Sequence, residues 1–323
     1  MDIFNRLQPL LNQIILKLNQ QVQESFPLTL KDPIKYFLAT PSKKVRPLLT
    51  VLSAQAVGGT AEAALPAAVG IELFHDFTLI HDDIMDKDEL RRGRPTIHTK
   101  WDEGTAILVG DALIGMASAS MSRCPAEYLP RVMHYFSEAL IKVCEGQALD
   151  KEFEHRKQVS LTEYLDMISK KTAWLFQHSC RIGAILGGGN QMQIQALSQF
   201  GYHLGMGFQI QDDLLDFVAD ETTLGKKVGS DFRMDKKTYI TLKYREYMET
   251  HPETSQDYPG EIWQFDSLDK LKKALFRLKI VEQTQAVVDE YFRRSLQSLG
   301  QVQPIGEENN LSLVIRFLQT RQY

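Results

Sequence analysis

Three aspartates, Asp82, Asp83 and Asp86, lie within five residues of one another in a stretch with helical periodicity. In a helix, the first and last of them lie one turn apart on a single face, with the third beside them. Like charges packed so closely repel, so the group is favourable mainly with a cation on it, and Mg²⁺ binds carboxylates together with substrate phosphate. Arg91 and Arg92 follow directly, with planar donor groups that suit phosphate oxygens. The stretch therefore predicts metal binding and phosphate binding together.

The same acidic spacing recurs later in the chain, at Asp212, Asp213 and Asp216. A single acidic triplet is weak evidence for a metal site, because most charged residues lie on solvated surfaces. The recurrence, followed by the basic residues Lys226 and Lys236, strengthens that evidence. Two such helices facing each other would form a cavity with carboxylate walls and a basic rim. That arrangement suits a diphosphate.

In the order and spacing of its motifs, from Lys43 to Thr238, the chain resembles the all-trans polyprenyl (isoprenyl diphosphate) synthases, which include the farnesyl and geranylgeranyl diphosphate synthases. The resemblance implies an all-α fold, a large antiparallel helical bundle (the isoprenoid synthase fold) around a central cavity, in one domain over residues 1–323. It implies a Mg²⁺-dependent prenyltransferase that condenses isopentenyl diphosphate with dimethylallyl, geranyl or farnesyl diphosphate. Three Mg²⁺ ions and a homodimer are further implications.

The resemblance also assigns roles to particular residues. The six aspartates hold the metal ions. Isopentenyl diphosphate is bound by Lys43, Arg46, His75 and Arg92, although Pro41 and Ser42 stand where the family usually has glycines. The allylic diphosphate is bound by basic and polar groups on the later helices and by one arginine after the first motif: Arg91, Gln147, Lys171, Thr172, Gln209, Lys226 and Lys236. Taken without the resemblance, His75 would be a satisfied core or surface histidine and Lys171 a solvated surface residue.

The length of the product depends on side chains one and two turns below the first aspartates. Phe77 precedes Asp82 by five residues, and Phe74 lies one turn deeper. In the family, bulky residues at this level close the pocket for the growing tail. Thr78 stands where the animal farnesyl type has a second aromatic residue, and no two-residue insertion separates Asp83 from Asp86. We therefore predict a C20 product, geranylgeranyl diphosphate, with the C15 farnesyl product as the alternative.

Helical periodicity predicts the elements that carry these residues. The helices are expected over residues 3–24, 61–87, 129–153, 161–186, 191–217, 268–299 and 311–318, with one more beginning near Pro47. Ser160 and Glu163 have the spacing of a capping box. Residues 251–266 are interpreted as an inserted loop, and Arg316 and Arg321 are candidates for a basic C-terminal contact with substrate.

Composition narrows the class of protein. With 323 residues, 43% of them hydrophobic, the chain can bury a substantial core. A net charge of −4 does not favour general binding to nucleic acid or anionic membranes. The three cysteines are scattered, which indicates reduced thiols, and no run of about 18 apolar residues is evident. We expect a soluble cytoplasmic protein without a membrane span.

Other functions remain as alternatives. A terpene cyclase would share the fold and the first motif but normally carries an Asn/Ser/Glu metal motif in place of Asp212 to Asp216. A non-catalytic subunit of a prenyl synthase would tend to lose the acidic motifs, and both are intact here. A purely structural helical bundle would leave the acid clusters and their Arg and Lys partners unexplained.

Overall fold

Helices form nearly all of the regular structure in the computed structural model, which describes residues 3–218, 236–302 and 310–319. The strands among these residues are Leu90–Arg91 (β1) and Arg94–Pro95 (β2), which pair antiparallel. The predicted all-α class is confirmed. The described chain divides into two compact units, one comprising residues 3–140, 178–198, 299–302 and 310–314, and the other residues 141–177, 199–218, 236–298 and 315–319.

The first unit is organised around a long, mostly buried helix that carries the first aspartate motif. Its helices are Ile3–Asn19 (α1), Leu28–Leu38 (α2), Val45–Ala56 (α3), Ala61–Met85 (α4), Ile97–Lys100 (α5) and Glu103–Met121 (α6). Helix α4 packs against α3 and α6. A Cβ on Gly70 would lie 3.0 Å from the Ala117 carbonyl oxygen and the Met121 side chain. The glycine therefore allows α4 to approach α6 closely.

The later helices carry the second aspartate motif and the predicted lysine. They are Leu129–His155 (α7), Leu161–Ile168 (α8), Trp174–Leu186 (α9), Gln191–Val218 (α10), Tyr239–Thr250 (α11), Leu268–Arg277 (α12), Ile280–Leu299 (α13) and Asn310–Gln319 (α14). The capping box predicted at Ser160 and Glu163 is confirmed at the start of α8. In the second unit α11 packs against α8.

Two helices predicted as continuous are interrupted. A π-helical segment, Ser169–Ala173, separates α8 from α9. The predicted helix over 268–299 breaks after Leu278, where Lys279 has a φ of 59°. Leu278 and Ile280 are both buried in one cluster, although side chains two residues apart in an unbroken helix point roughly 200° from each other. The break therefore lets both side chains enter the same core.

The region predicted as an insertion is packed rather than extended. Residues 251–266 contain two 3₁₀ turns, Pro252–Gln256 and Ile262–Gln264. The Tyr244 hydroxyl donates a hydrogen bond to the Pro259 carbonyl at 2.5 Å, and Ile262 is buried in the same cluster as α11 and α12. The insertion therefore contributes to the core of the second unit.

Within the part of the chain that the structure describes, two helices, α4 and α6, are long and apolar enough to cross a membrane by length and composition alone. In α4, 67% of the apolar window is buried inside the protein, against 39% in α6. Core helices pass the same test, and the burial of α4 identifies it as one.

Candidate active site

The first aspartate motif lies at the C-terminal end of α4. The helix begins at its N-cap Thr60, whose hydroxyl accepts a hydrogen bond from the Ala63 N–H, and ends at Met85, so Asp82 lies in the last turn and Asp86 is the C-cap residue. The last turn carries no basic residue. Carboxylates at this end face the negative pole of the helix dipole, which favours an added cation. Asp82 and Asp86 are half-buried.

Asp83, unlike this pair, is buried, and it binds Arg91. Its carboxylate is buried and accepts hydrogen bonds from Arg91 Nε at 2.8 and 3.0 Å, with Arg91 Nη2 2.6 Å away. Burial raises the pKa of Asp83, although the Arg91 guanidinium acts in the opposite direction. Asp83 thus fixes the position of Arg91, the residue predicted to bind phosphate.

The loop between β1 and β2 places the second predicted arginine. Arg92 and Gly93 have φ values of 53° and 73°, and positive φ at both central residues is typical of the tight hairpin turn that matches strand twist. Arg92 Nη1 donates to the Pro41 carbonyl oxygen at 3.1 Å. The turn therefore brings Arg92 against the segment that precedes α3, where Lys43 lies exposed.

Two further predicted binders of isopentenyl diphosphate contact each other in the first unit. Arg46, in the first turn of α3, donates from Nη1 to His75 Nε2 of α4 at 3.0 Å. Burial, together with the charges of Arg46 and Lys44, holds the pKa of His75 well below its ordinary value. The imidazole is therefore neutral, and because Nε2 accepts from Arg46, Nδ1 carries the proton.

Lys44 is a residue that sequence reasoning missed. Its side chain is buried and its ammonium lies 2.8 Å from Glu72 Oε1 and 3.7 Å from Asp76 Oδ2, both on α4. Burial raises the pKa of Asp76 to about 7, against the attraction of Lys44. Burial alone would lower the pKa of Lys44, but the two carboxylates outweigh it and raise that pKa. The spacing of Glu72 and Asp76, four residues apart on one helix face, was the signal available in the sequence.

Below the first motif, aromatic side chains stack along α4. Phe74 is fully buried, with its ring centroid 5.9 Å from that of Phe77 and 5.6 Å from that of Phe136 on α7. Phe77 is half-buried and meets His81 edge-on at 5.2 Å. The Thr78 hydroxyl donates to the His75 carbonyl oxygen at 2.8 Å, so it is satisfied on its own helix.

The second aspartate motif lies near the end of α10. Asp213 is buried, and its carboxylate accepts hydrogen bonds from the Tyr164 hydroxyl, from the Tyr239 N–H at 2.9 Å and from Gln209 Nε2 at 3.0 Å. Asp216 is buried as well, whereas Asp212 is half-buried. Asp213 thus joins α8, α10 and the start of α11. Nothing in the sequence pointed to Tyr164 as its partner.

Lys171 and Thr172 lie in the π-helical segment, packed against α7. Lys171 Nζ lies 2.6 Å from Asp150 Oδ2, and the Thr172 hydroxyl donates to Gln209 Oε1 at 2.9 Å. A Cβ on Gly146 would lie only 2.3 Å from the backbone nitrogen of Lys171, so glycine is required for this close approach. Insertions of this kind in helices are frequent at functional sites.

Gln147, also on α7, is buried, and both polar atoms of its amide are without hydrogen-bond partners in the part of the chain that the structure describes. A buried amide without partners is costly, which is consistent with the predicted contact between Gln147 and a ligand. Lys236 is half-buried ahead of α11, and Arg316 is exposed on α14. The predictions for Lys226 and Arg321 lie outside the described residues.

The donors fit Mg²⁺ in chemical type, since hard carboxylate oxygens are its preferred protein ligands. Among residues 3–218, 236–302 and 310–319, no group of three or more His, Cys, Asp or Glu side chains is gathered closely enough to hold an ion by itself. Asp83 and Asp213 already accept several hydrogen bonds from protein donors. A bound ion would therefore take part of its coordination from water or a ligand, as Mg²⁺ usually does.

Residues 27–274 match the polyprenyl synthetase family. The chain is 43% identical over 227 residues to the geranylgeranyl diphosphate synthase of Methanosarcina mazei, covering 68% of this chain and 70% of that protein. It is 42% identical over 244 residues to a short chain isoprenyl diphosphate synthase of Methanothermobacter thermautotrophicus, covering 75% and 74%. A solved structure of geranylgeranyl pyrophosphate synthetase from Pyrococcus horikoshii superimposes with a TM-score of 0.90 at 35% identity, covering 99% of each chain.

Proposed function

Because the chain belongs to the polyprenyl synthetase family, we propose which of its residues carry the reaction. The protein is an isoprenyl diphosphate synthase, a prenyltransferase that condenses isopentenyl diphosphate with an allylic diphosphate. Its product is the C20 compound geranylgeranyl diphosphate, and the relative from Methanosarcina mazei is a geranylgeranyl diphosphate synthase.

The observation that carries the assignment of the site is the arrangement at the end of α4. Asp82 and Asp86 lie at the negative pole of the helix without a basic residue in the last turn, and Arg91, whose charge interacts with that of Asp82, is held by Asp83. This arrangement supports a cation site at the carboxylates and phosphate binding by the guanidinium. We assign Asp82 and Asp86 as metal ligands and Asp83 as the residue that positions Arg91.

In the second motif, Asp212 and Asp216 are proposed as metal ligands, and Asp213 as the group that holds the start of α11. These residues would hold Mg²⁺, on which the family generally depends, and the metal would supply positive charge to bind the allylic diphosphate and to stabilise it as the leaving group. Three ions are proposed, as the resemblance implies. The described aspartates provide too few close donors to complete their coordination, which supports a contribution from the substrate diphosphate.

The allylic carbon–oxygen bond breaks as negative charge accumulates on the departing diphosphate. Arg91 and Lys171 are proposed to stabilise that charge, with Lys226 and Lys236 as further donors. Asp150 holds the Lys171 ammonium at 2.6 Å, which orients it at little entropic cost when the substrate binds. Gln147, Thr172 and Gln209 are proposed as polar contacts of the same substrate.

The second substrate, isopentenyl diphosphate, is proposed to be bound by Lys43, Arg46, His75 and Arg92. Neutral His75 presents the N–H of its Nδ1 as a donor. The double bond of isopentenyl diphosphate attacks the allylic cation, a carbon–carbon bond forms, and the proton lost from the adduct passes to the departed diphosphate. No protein nucleophile takes part in these steps.

The tail of the product is proposed to end at Phe77, with Phe74 beneath it. Phe74 contacts Phe136 on α7, so this level is closed by two helices, which supports a floor. A C15 product would mean that the pocket closes higher than Phe77.

Two further properties are proposed from the resemblance alone, a homodimer and a cytoplasmic location. Light scattering of the purified protein tests the first, and fractionation of the source cells tests the second. A monomer at assay concentration would contradict the dimer.

The reaction is tested by incubating the pure protein with isopentenyl diphosphate, Mg²⁺ and each allylic primer in turn, and identifying the products by mass. Asp82→Ala and Asp212→Ala should each lower turnover by at least roughly 10²-fold, with unchanged helical circular dichroism. Asp257→Ala, the same change at an exposed aspartate of the second unit, should keep full activity.

Two outcomes would contradict the assignments. A double variant, Asp82→Ala with Asp212→Ala, that keeps Mg²⁺-dependent turnover would overturn the roles of both motifs. Failure of the wild-type protein to condense any primer would favour the non-catalytic subunit instead.

A further inference from the structure

Lys44 has an unusual combination of backbone conformation and burial. Its φ of 47° and ψ of 42° lie in the left-handed region, and its side chain is 7% exposed. This conformation is unfavourable for residues other than glycine, and it persists where surrounding contacts impose it. The contacts here are those of its ammonium with Glu72 and Asp76 on α4.

We propose that Lys44 is a positioning residue: through Glu72 and Asp76 it holds the turn before α3 so that Lys43 and Arg46 meet the diphosphate of isopentenyl diphosphate. This inference rests on the proposed function and adds to it a residue that does not touch the substrate.

Lys44 is unsuited to contact a ligand itself. Its ammonium is within hydrogen-bonding distance of Glu72 Oε1, and both carboxylates that face it are 2% exposed. Moving the ammonium toward a substrate would leave the buried Glu72 carboxylate without its cation, which is strongly unfavourable. Lys44 is therefore committed to α4.

Lys44 and Arg46 both contact one turn of α4, Lys44 through Glu72 and Asp76 and Arg46 through His75. These two anchors set the start of α3 against α4, and the left-handed backbone at Lys44 turns the chain sharply between them. As a result Lys43 is exposed while the adjacent Lys44 is buried.

The loop between β1 and β2 also contacts this segment. Arg92 donates to the Pro41 carbonyl oxygen, three residues before Lys44. The segment from Pro41 to Arg46 is thus held at one end by Arg92 and at the other by the α4 contacts. Loss of the Lys44 anchor would release the middle of the segment, where Lys43 lies. A displacement of about 1 Å in groups that position a substrate can cost up to about 10²-fold.

The test measures binding of isopentenyl diphosphate by calorimetry, without Mg²⁺ or allylic substrate, to the wild type and to Lys44→Met, Glu72→Gln and the double variant. Each single change should weaken binding roughly 10-fold. The double variant should bind isopentenyl diphosphate no more weakly than the weaker-binding single variant, because both changes remove the same anchor. Lys44→Arg should bind within about 3-fold of the wild type. Lys270→Met, which removes an exposed lysine from a surface ion pair with Asp266, is the matched control and should bind as the wild type does.

Steady-state kinetics provides a second readout. The KM for isopentenyl diphosphate should rise by the same factor in Lys44→Met, while the KM for the allylic substrate and kcat stay within about 3-fold. A merely structural role would impair the binding of both substrates alike. If Lys44→Met does not fold, the double variant replaces it, because there the carboxylate of Glu72 is removed together with the cation.

The inference is overturned if Lys44→Met binds isopentenyl diphosphate as the wild type does. It is also overturned if the two single effects add, or if Glu72→Gln tightens binding, since Lys44 would then contact the diphosphate itself. If the wild type condenses its substrates and the Lys44 and Glu72 variants bind isopentenyl diphosphate as the wild type does, only the positioning role is refuted. Wild-type protein that neither binds nor condenses isopentenyl diphosphate would refute the proposed function, and the inference with it.

Discussion

Replacing Gly146 with alanine should impair catalysis through the close contact between α7 and the π-helical segment. The added Cβ would lie 2.3 Å from the Lys171 nitrogen, 2.6 Å from its Cα and 2.8 Å from its Cβ, where ordinary contacts begin at 3.4 Å. Two of these atoms belong to the backbone, so a side-chain rotation cannot relieve the clash. The segment that carries Lys171 and Thr172 must move by at least about 1 Å, which is enough to cost on the order of 10²-fold in kcat/KM.

The effect on stability should be smaller than the effect on activity. Overpacking costs about 1–3 kcal/mol, whereas alanine gains about 1 kcal/mol over glycine in helix propensity. The net loss of about 0–2 kcal/mol corresponds to a decrease in melting temperature of at most several degrees. The variant should therefore be folded at the assay temperature and still be slow.

The assay compares kcat/KM for the allylic substrate and the thermal melting of Gly146→Ala with those of Gly260→Ala. A Cβ at Gly260, in the same unit, would meet nothing within 4 Å, so this control should match the wild type in both measurements. If Gly146→Ala keeps kcat/KM within 3-fold of the control, the segment does not need its present position, and the role proposed for Lys171 fails.

Three further predictions concern other parts of the site. Tyr164→Phe removes one of the hydrogen bonds to the Asp213 carboxylate and should lower the stability by about 1.5–3 kcal/mol; chemical denaturation measures this, and an unchanged midpoint would show that the hydroxyl contributes nothing. Phe77→Ala should shift the product mass upward by at least one isoprene unit, and an unchanged product would place the floor elsewhere. Burial raises the pKa of Asp76 to about 7 in the folded protein, whereas an aspartate in the unfolded chain has a pKa near 4. Between about pH 4 and 7, the folded protein therefore keeps a proton on Asp76 that the unfolded chain has lost. The free energy of unfolding should therefore fall as the pH rises between about 4 and 7, by up to about 1.4 kcal/mol per pH unit from this group. In unfolding curves at pH 5 and 7, Asp76→Asn should lose less stability than the wild type. An equal loss in both proteins would contradict the prediction.

The sequence by itself determined the features that depend on local spacing. The aspartates of each motif lie at helical spacing near the end of a helix, as expected, because the period of the α-helix is a property of the backbone. The capping box at Ser160 and Glu163 is likewise local, since its two partners are three residues apart. The all-α class follows from the same periodicity repeated along the chain.

The sequence did not show where helices are interrupted. The break near Lys279 and the π-helical segment Ser169–Ala173 fall inside stretches whose apolar pattern is helical throughout. At Lys279 the break allows Leu278 and Ile280 to share one core. Such interruptions depend on what the side chains pack against, and the pattern of one segment contains no information on its neighbours.

Only the tertiary structure decided which residues of the motifs are buried and what they contact. Lys43 and Lys44 are the same residue type at adjacent positions, yet one is exposed and the other buried, because Glu72 and Asp76 arrive from another helix. Asp213 is committed to Tyr164, 49 residues earlier in the chain. Helical spacing places residues on a face, whereas the partner of a buried charge is set by distant segments, since a charge leaves water only where opposite charge or hydrogen-bond donors compensate it.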